Sequence, residues 1–353
     1  MHRTSVKSKS PRKLVAKKAS HPVHIALEPV SDVKLENELQ YRLSSAADFL
    51  ESCWDGKQFS HEFTQEEKPS KKFHVLHHLQ AISVLISLAE FLGRNRLRSI
   101  ADEAFELTLS WKFNNGDSSF IVYDDESFLS WNALTAIIHL KRKEIIEARS
   151  FVGSILECIG DETVSPVYPP DFEKPASSLT EAMLALILVS AKNKDEALED
   201  AAAYIAEILL KQGVLYNHYE VWAFTLMHNI DHDPRYLQRA RRQIKEFKQP
   251  AVQAMTSLFA ACAQQAFLAA YPHDEWLGQD KKHANQLHMK ILNQQVALQV
   301  DKDKSFKWPP EFYGAFILRK TRPNIRLDYV LQNAMAIMQY ISHLTNQKAL
   351  AII

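Results

Sequence analysis

The stretch Tyr123–Leu140 reads YDDESFLSWNALTAIIHL. Two adjacent acids close a loop, and an apolar run with small residues follows at helical spacing. The pattern predicts a helix over 125–140. Asp124 is placed to cap it and Asp125 to stand in its first turn, where the helix dipole favours acids. Because the run is apolar on most sides, the helix belongs inside a layer and not on a surface. A short polar turn then opens a more charged helix over 143–159.

That unit recurs along the chain. Apolar helices are predicted over 73–92, 178–191, 218–230 and 251–271, followed by more charged ones over 97–113, 195–212, 235–247 and 280–299. A helix over 36–53 and a closing one over 325–344 bring the total to about twelve, in six hairpins. Repetition at ~40–55 residues marks a helical array or a closed toroid. Turns after the apolar helices are short, as at Gly93-Arg94, whereas the loops before them tend to be long and rich in proline and aromatic residues. If the apolar helices form an inner ring, they all begin at one rim, where free N–H groups and partial positive charge gather. The expected fold is therefore all-α, an (α/α)6 toroid with one working rim. A right-handed α-solenoid is the alternative, and it would leave the first and last hairpins unpaired.

Composition agrees with a helical body. Hydrophobic residues make up 46% of the 353, enough for a large core, and only 8 glycines are present. So few glycines, against a usual ~7%, argue against glycine-rich phosphate loops, and no GxGxxG or GxxxxGK[ST] string occurs. Formal net charge is zero, yet Arg3, Lys7, Lys9, Arg12, Lys13, Lys17 and Lys18 all precede the first acid, Glu28. The sequence therefore predicts a disordered basic arm over 1–30 and a single toroid domain over 31–353. The body left behind carries about −7, which is no surface for nucleic acid. No secretory signal and no run of ~18 uninterrupted apolar residues is visible, so a soluble, cytoplasmic protein without a transmembrane segment is expected. Cys53, Cys158 and Cys262 lack CxxC or Cys-His spacing, so three buried thiols are expected, with no metal and no cofactor.

The closing stretch Ile325–Ile341, IRLDYVLQNAMAIMQYI, follows a loop containing Tyr313–Phe316, YGAF. It resembles the closing segment of a bacterial branch of the six-hairpin glycosidase-like superfamily, where Arg-Ile-Asp-Tyr-Val-Gln-His is expected. Arg326, Asp328, Tyr329 and Val330 fit, while Leu331 and Gln332 depart. His74–Leu85, HVLHHLQAISVL, is similar to a segment that usually reads Arg-His; His78 fits it and His77 does not. The resemblance implies an (α/α)6 toroid. Because the superfamily contains glycan hydrolases, lyases and proteins of unknown activity, it selects no single reaction.

Glycoside hydrolysis needs a carboxylic acid and a second carboxylate across a sugar-sized gap. Carboxylates at inner-helix starts are Asp124, Asp125, Glu126, Glu181, Glu220 and Asp328. Ser178 with Glu181 and Asn217 with Glu220 match the capping box, which needs no substrate. Asp125 and Asp328 are left as the catalytic candidates. His78 joins them as an acid/base or orienting group, and Arg326 orients Asp328. Asp124, Arg326, Tyr329, Tyr219, Trp222, Trp308 and Tyr123 are expected to contact substrate, the aromatic ones through sugar faces or else as core. The expected function is binding and processing of an oligosaccharide or polysaccharide by a hydrolase-like or lyase-like enzyme. A non-catalytic toroid binding a glycan or a protein partner through the same rim is the alternative. A prenyltransferase- or lanthionine-synthetase-like toroid ranks third, because the cysteines lack histidine partners for zinc.

Overall fold

The computed structural model describes residues 32–63, 73–173, 178–213, 217–248, 250–270, 281–302 and 308–345. The basic arm expected over 1–30 lies outside them. Twelve α-helices are present among the described residues: α1 Asp32–Ser52, α2 Val75–Leu92, α3 Asn95–Leu109, α4 Leu129–Lys141, α5 Ile145–Glu157, α6 Leu179–Asn193, α7 Glu196–Lys211, α8 His218–Asp231, α9 Pro234–Lys248, α10 Ser257–Ala270, α11 Lys281–Leu298 and α12 Leu327–Leu344.

The apolar helices close a ring. α2 packs on α4, α4 on α6, α6 on α8, α8 on α10, α10 on α12, and α12 back on α2. Outside it, α3, α5, α7, α9 and α11 each pack on the inner helix that precedes them, and α1 returns to pack on α12. The chain's first and last helices thus form the sixth hairpin, and the solenoid is ruled out. α2 is long and apolar enough to cross a membrane, but α1, α3, α4 and α12 surround it and it is a core helix here.

Local chemistry explains the two ends of the ring. After α2 the chain reverses at Gly93, whose φ of 66° is left-handed, and its N–H returns to Ala89 O. Asp233 precedes Pro234, and its side chain accepts from Arg235 N at 2.8 Å, so α9 starts as its sequence indicates. At the opposite rim the longer connections carry short strands: β1 Glu62–Phe63, β2 Lys112–Asn115, β3 Ser118–Ile121, β4 Ser127–Phe128, β5 Val167–Tyr168, β6 Ile317–Arg319 and β7 Arg322–Arg326. The expected all-helical chain therefore gains a β-trimmed rim.

These strands tie neighbouring helix starts together. β1 pairs with β7, Glu62 opposite Arg326, and Leu327 N donates to His61 O at 2.8 Å. That joins the entry to α2 with the entry to α12, across the closure of the ring. β4 pairs with β5 and does the same for α4 and α6. Gly314 closes the chain on α1, with φ 93° and its α-carbon tight against the Ser45 carbonyl, a place where any side chain would clash. The core is continuous through both layers, and burying each Leu or Ile side chain contributes about 1.5–3 kcal/mol.

Candidate functional site

The inner helices begin around one mouth. Part-exposed residues recur in their first two turns: His77 and Gln80 on α2, Trp131 on α4, Glu181 on α6, Tyr219 and Trp222 on α8, Cys262 on α10 and Asp328 on α12. Deeper residues of α2, α4 and α12 are almost wholly buried, so exposure along the inner helices is confined to this end, called the funnel below.

Its floor is a polar network. Gln332 on α12 donates to the Tyr219 hydroxyl on α8 at 2.9 Å, and Gln265 on α10 donates to Gln332 Oε1 at 2.9 Å. α8 and α12 flank α10 in the ring, so the first of these bonds passes in front of α10, on the inner side. Burial holds the His218 imidazole down at about 3, and the neighbouring Gln332 opposes that lowering. The Tyr219 phenol is pushed up by burial, and further by the charges of Cys262 and Glu181; the Gln332 bond opposes this. Cys262 itself is raised to about 12 by burial and then by Asp328. Tyr219 is thus influenced by Glu181 and Cys262, and Cys262 by Asp328, on four different helices.

Asp328 stands in the first turn of α12, its side chain 13% exposed. Arg326 holds it with two parallel bonds, Nε to Oδ1 at 2.9 Å and Nη2 to Oδ2 at 3.0 Å, and the guanidinium lies over the Tyr329 ring at 5.1 Å. Burial raises the Asp328 pKa; Arg326 and two backbone N–H groups oppose that rise without cancelling it. Beside this pair lie three imidazoles. His61 and His77 stack at 4.4 Å with their Nδ1 atoms 3.1 Å apart, and His74 lies 4.5 Å from His61. His77 is lowered to about 3, first by burial and then by repulsion from His61, His74 and Arg326. No group of three or more His, Cys, Asp or Glu among the described residues is arranged to hold a metal ion.

Glu181 corrects the sequence reading. Ser178 sits in the left-handed region at φ 59° and makes no side-chain capping bond, so the capping box does not form. The Glu181 carboxyl is densely surrounded and raised by burial, and its own backbone N–H is the one hydrogen bond that opposes the rise. The second expected box also fails to form, with a different outcome. Asn217 caps α8 by accepting from Tyr219 N at 3.0 Å, but Glu220 is buried and pairs with Arg239. Arg239 donates as well to Gln212 O and Gly213 O, at 2.8 and 3.0 Å, and so fastens the end of α7 to α8 and α9. Glu220 is structural.

Other expected residues are placed as follows. α4 starts at Leu129, and Asp124 and Asp125 precede it in a tight turn, both exposed, at φ 51° and 61°. Tyr123 bridges Glu126 across that turn, so neither acid is a cap or a first-turn residue. Two consecutive positive φ values are the signature of a type I′ turn, whose left-handed positions aspartate tolerates. Tyr123 packs on Phe73 and Trp111, which puts the turn beside the entry to α2. His78 faces away from the funnel: its Nε2 meets Ala104 O on α3 at 3.1 Å, and Trp54, Phe59, Phe73 and Trp111 surround it. Burial lowers it to about 4. Trp308 is buried against Phe312, which packs on Phe49 and Phe63, so it is core and not funnel wall. Tyr329 is mostly buried under Arg326, whereas Tyr219 and Trp222 do line the funnel. Cys53 and Cys158 are buried as expected, but Cys262 is part-exposed in the funnel wall.

Trp131 and His61 were not singled out by their sequence context, while Glu181 was read as a capping-box residue, Cys262 as a buried thiol and Gln332 as a departure from the resembled motif. Trp131 had the readable signal of an aromatic residue at the start of an inner helix. A separate open groove of about 630 Å³ lies at the opposite end, between the starts of α5 and α7, and is remote from all these groups.

The ring matches solved structures. The chain has the six-hairpin glycosidase-like fold. Cellobiose 2-epimerase from Bacillus thermoamylovorans superposes with a TM-score of 0.67 at 10% identity, covering 88% of this chain and 100% of that one. D-mannose isomerase gives 0.66 at 8% identity, covering 90% and 100%. An inactive variant of the α-1,6-mannanase of Salegentibacter sp. HEL1_6, in complex with α-1,6-mannotriose, gives 0.64 at 13% identity, covering 87% and 99%. These structural neighbours are carbohydrate-active enzymes. No family model matches the chain, and no curated protein matches it in sequence.

Proposed function

We propose that the six-hairpin ring processes an oligosaccharide in its funnel by carboxylate acid/base chemistry. The observation that carries this reading is Asp328, held by both oxygens on Arg326 in a funnel that also offers Tyr219, Trp222 and Trp131 to a sugar ring. Preorganised charge and hydrogen-bond donors at one focus are what acid/base cleavage of a glycosidic bond uses. Asp328 serves as the carboxylate and Arg326 sets its orientation. Asp124 and Asp125, at the mouth beside α2, contact the chain where it enters. The mannanase bound to mannotriose was made inactive by replacing two consecutive aspartates with asparagine, which supports keeping this chain's own consecutive pair in the reading. In this reading 31–353 is kept as one ring domain and 1–30 as a separate basic arm, a division drawn from the charge pattern of the sequence.

A second reading is sugar isomerisation or epimerisation. The His61–His77 pair favours it, because closely spaced imidazoles can pass a proton. One assay separates the readings: incubation of the full chain with neutral and uronic-acid-containing oligosaccharides, followed by mass spectrometry and chromatography. Shorter products support cleavage. Products of unchanged mass and altered mobility support isomerisation. Binding without turnover makes the ring a glycan-binding module, and neither binding nor turnover removes the glycan from the account.

A further inference from the structure

Two glutamates occupy the first turn of successive inner helices, and the protein treats them oppositely. Glu220 on α8 is buried and neutralised by Arg239. Glu181 on α6 has no basic partner among the described residues, and it caps nothing. An ionised carboxylate without a cation or several donors is costly in such a place, and burial raises this carboxyl above the ordinary range. It is part-exposed at the same rim as Tyr219 and Asp328, on the helix that stands across the ring from α12. A half-buried carboxyl that neither caps a helix nor pairs with a cation has no structural duty.

We propose that Glu181 is the proton donor of the funnel and works opposite Asp328. This rests on the glycan-cleaving reading above. Glu181 gives its proton to the glycosidic oxygen as the bond from that oxygen to the anomeric carbon breaks. The bonding pair stays with the oxygen, which leaves as a neutral alcohol. Water adds to the anomeric carbon and passes a proton to Asp328. Exchange with solvent then returns the proton to Glu181 and removes the one on Asp328. The division of labour follows from the partners: burial raises both carboxyls, but Asp328 has Arg326 to favour its charge, and Glu181 has no cation among the described residues. Environments that separate two carboxyls in this way assign one as acid and the other as base. Tyr219, Cys262 and His218 are the other titratable groups at this focus, and none is a comparable donor. The first two are raised well above neutrality, and the third is kept neutral by burial.

The test is Glu181→Gln in the full chain, with unfolding measured as the control for folding. On an unactivated oligosaccharide kcat should fall by at least ~10²-fold. On a dinitrophenyl glycoside, whose leaving group needs no proton, it should fall by less than about tenfold. The basic limb of the wild-type pH profile should also disappear. Equal losses on both substrates with the limb intact would make Glu181 a positioning residue and overturn the proposal, as would unchanged kinetics. An infrared difference spectrum, wild type minus Glu181→Gln at neutral pH, should show a protonated carboxyl. An ionised one overturns the proposal without recourse to any substrate. If the wild type leaves every saccharide intact while that band is present, the glycan reading has failed and takes the donor role with it, but the protonation argument stands.

Discussion

Replacing Glu220 or Glu181 by glutamine changes the same few atoms in the first turn of an inner helix, yet the consequences should differ widely. Glu220 and Arg239 are 2% and 3% exposed. Removing the Glu220 charge leaves the guanidinium buried, with the Gln212 and Gly213 carbonyls as acceptors. Breaking a buried pair from one side costs roughly 3–5 kcal/mol. Glutamine can still accept from Arg239 Nε, so the lower end applies, about 3 kcal/mol. At ~2.1 cal/mol/K per residue, a chain of 353 residues shifts by about 1.4 °C per kcal/mol, so Tm should fall by roughly 4 °C. Glu181→Gln exchanges a carboxyl without a basic partner among the described residues for a neutral group of the same shape, and should move Tm by no more than ~1 °C. Thermal unfolding at neutral pH, followed by circular dichroism, measures both. Glu220→Leu combined with Arg239→Leu should recover much of the loss, because no charge is then left buried. Equal destabilisation by the two glutamine substitutions would refute the contrast between a paired and an unpaired glutamate.

Three further outcomes are expected. His77, His78, His218 and His288 are all lowered, to about 3, 4, 3 and 4. Between the ordinary value of 6.5 and these values the unfolded chain binds more protons, so stability falls as pH drops through that window. Urea midpoints at stepped pH should show the fall, and His78→Phe should lessen it; a flat profile would contradict the burial of these rings. Truncation after Lys320 removes α12, the shared neighbour of α2 and α10, and should abolish cooperative unfolding; a sharp transition in the truncated chain would contradict closure. Deleting residues 1–23 should leave Tm unchanged, since seven like charges without apolar periodicity cannot offset their ordering entropy; a drop of many degrees would mean that the arm docks on the body.

The helices were legible because their signals are local: periodicity, the turn at Gly93, the Asp233-Pro234 start. Ring closure was readable from the long and short connections, which place all the inner helix starts at one end. The rim strands were not readable, being two to five residues long and held by partners far away in sequence, as Glu62 is by Arg326. The acids divided in the same way. Asp124-Asp125 looked like a helix start because adjacent acids suit one, and only backbone dihedrals distinguish it from a tight turn. Ser178 and Glu181 have the right spacing for a capping box but the wrong backbone at Ser178. The fate of Glu220 depends on Arg239, on the next helix. Gln332, a departure from the resembled motif, proved to be the link between Tyr219 and Gln265.

The most direct test of a carboxylate-driven glycan site is turnover by Asp328→Asn and Asp125→Asn, each compared with the wild type on the best oligosaccharide of the panel. Asparagine keeps the size of Asp328, and it tolerates the left-handed position of Asp125, so both variants should stay folded. Asp328→Asn should lower kcat by at least ~10²-fold, and Asp125→Asn should weaken turnover chiefly through KM, as expected for a residue at the mouth. Full activity in Asp328→Asn, with its unfolding unchanged, would contradict the account and take the chemistry away from this funnel carboxylate.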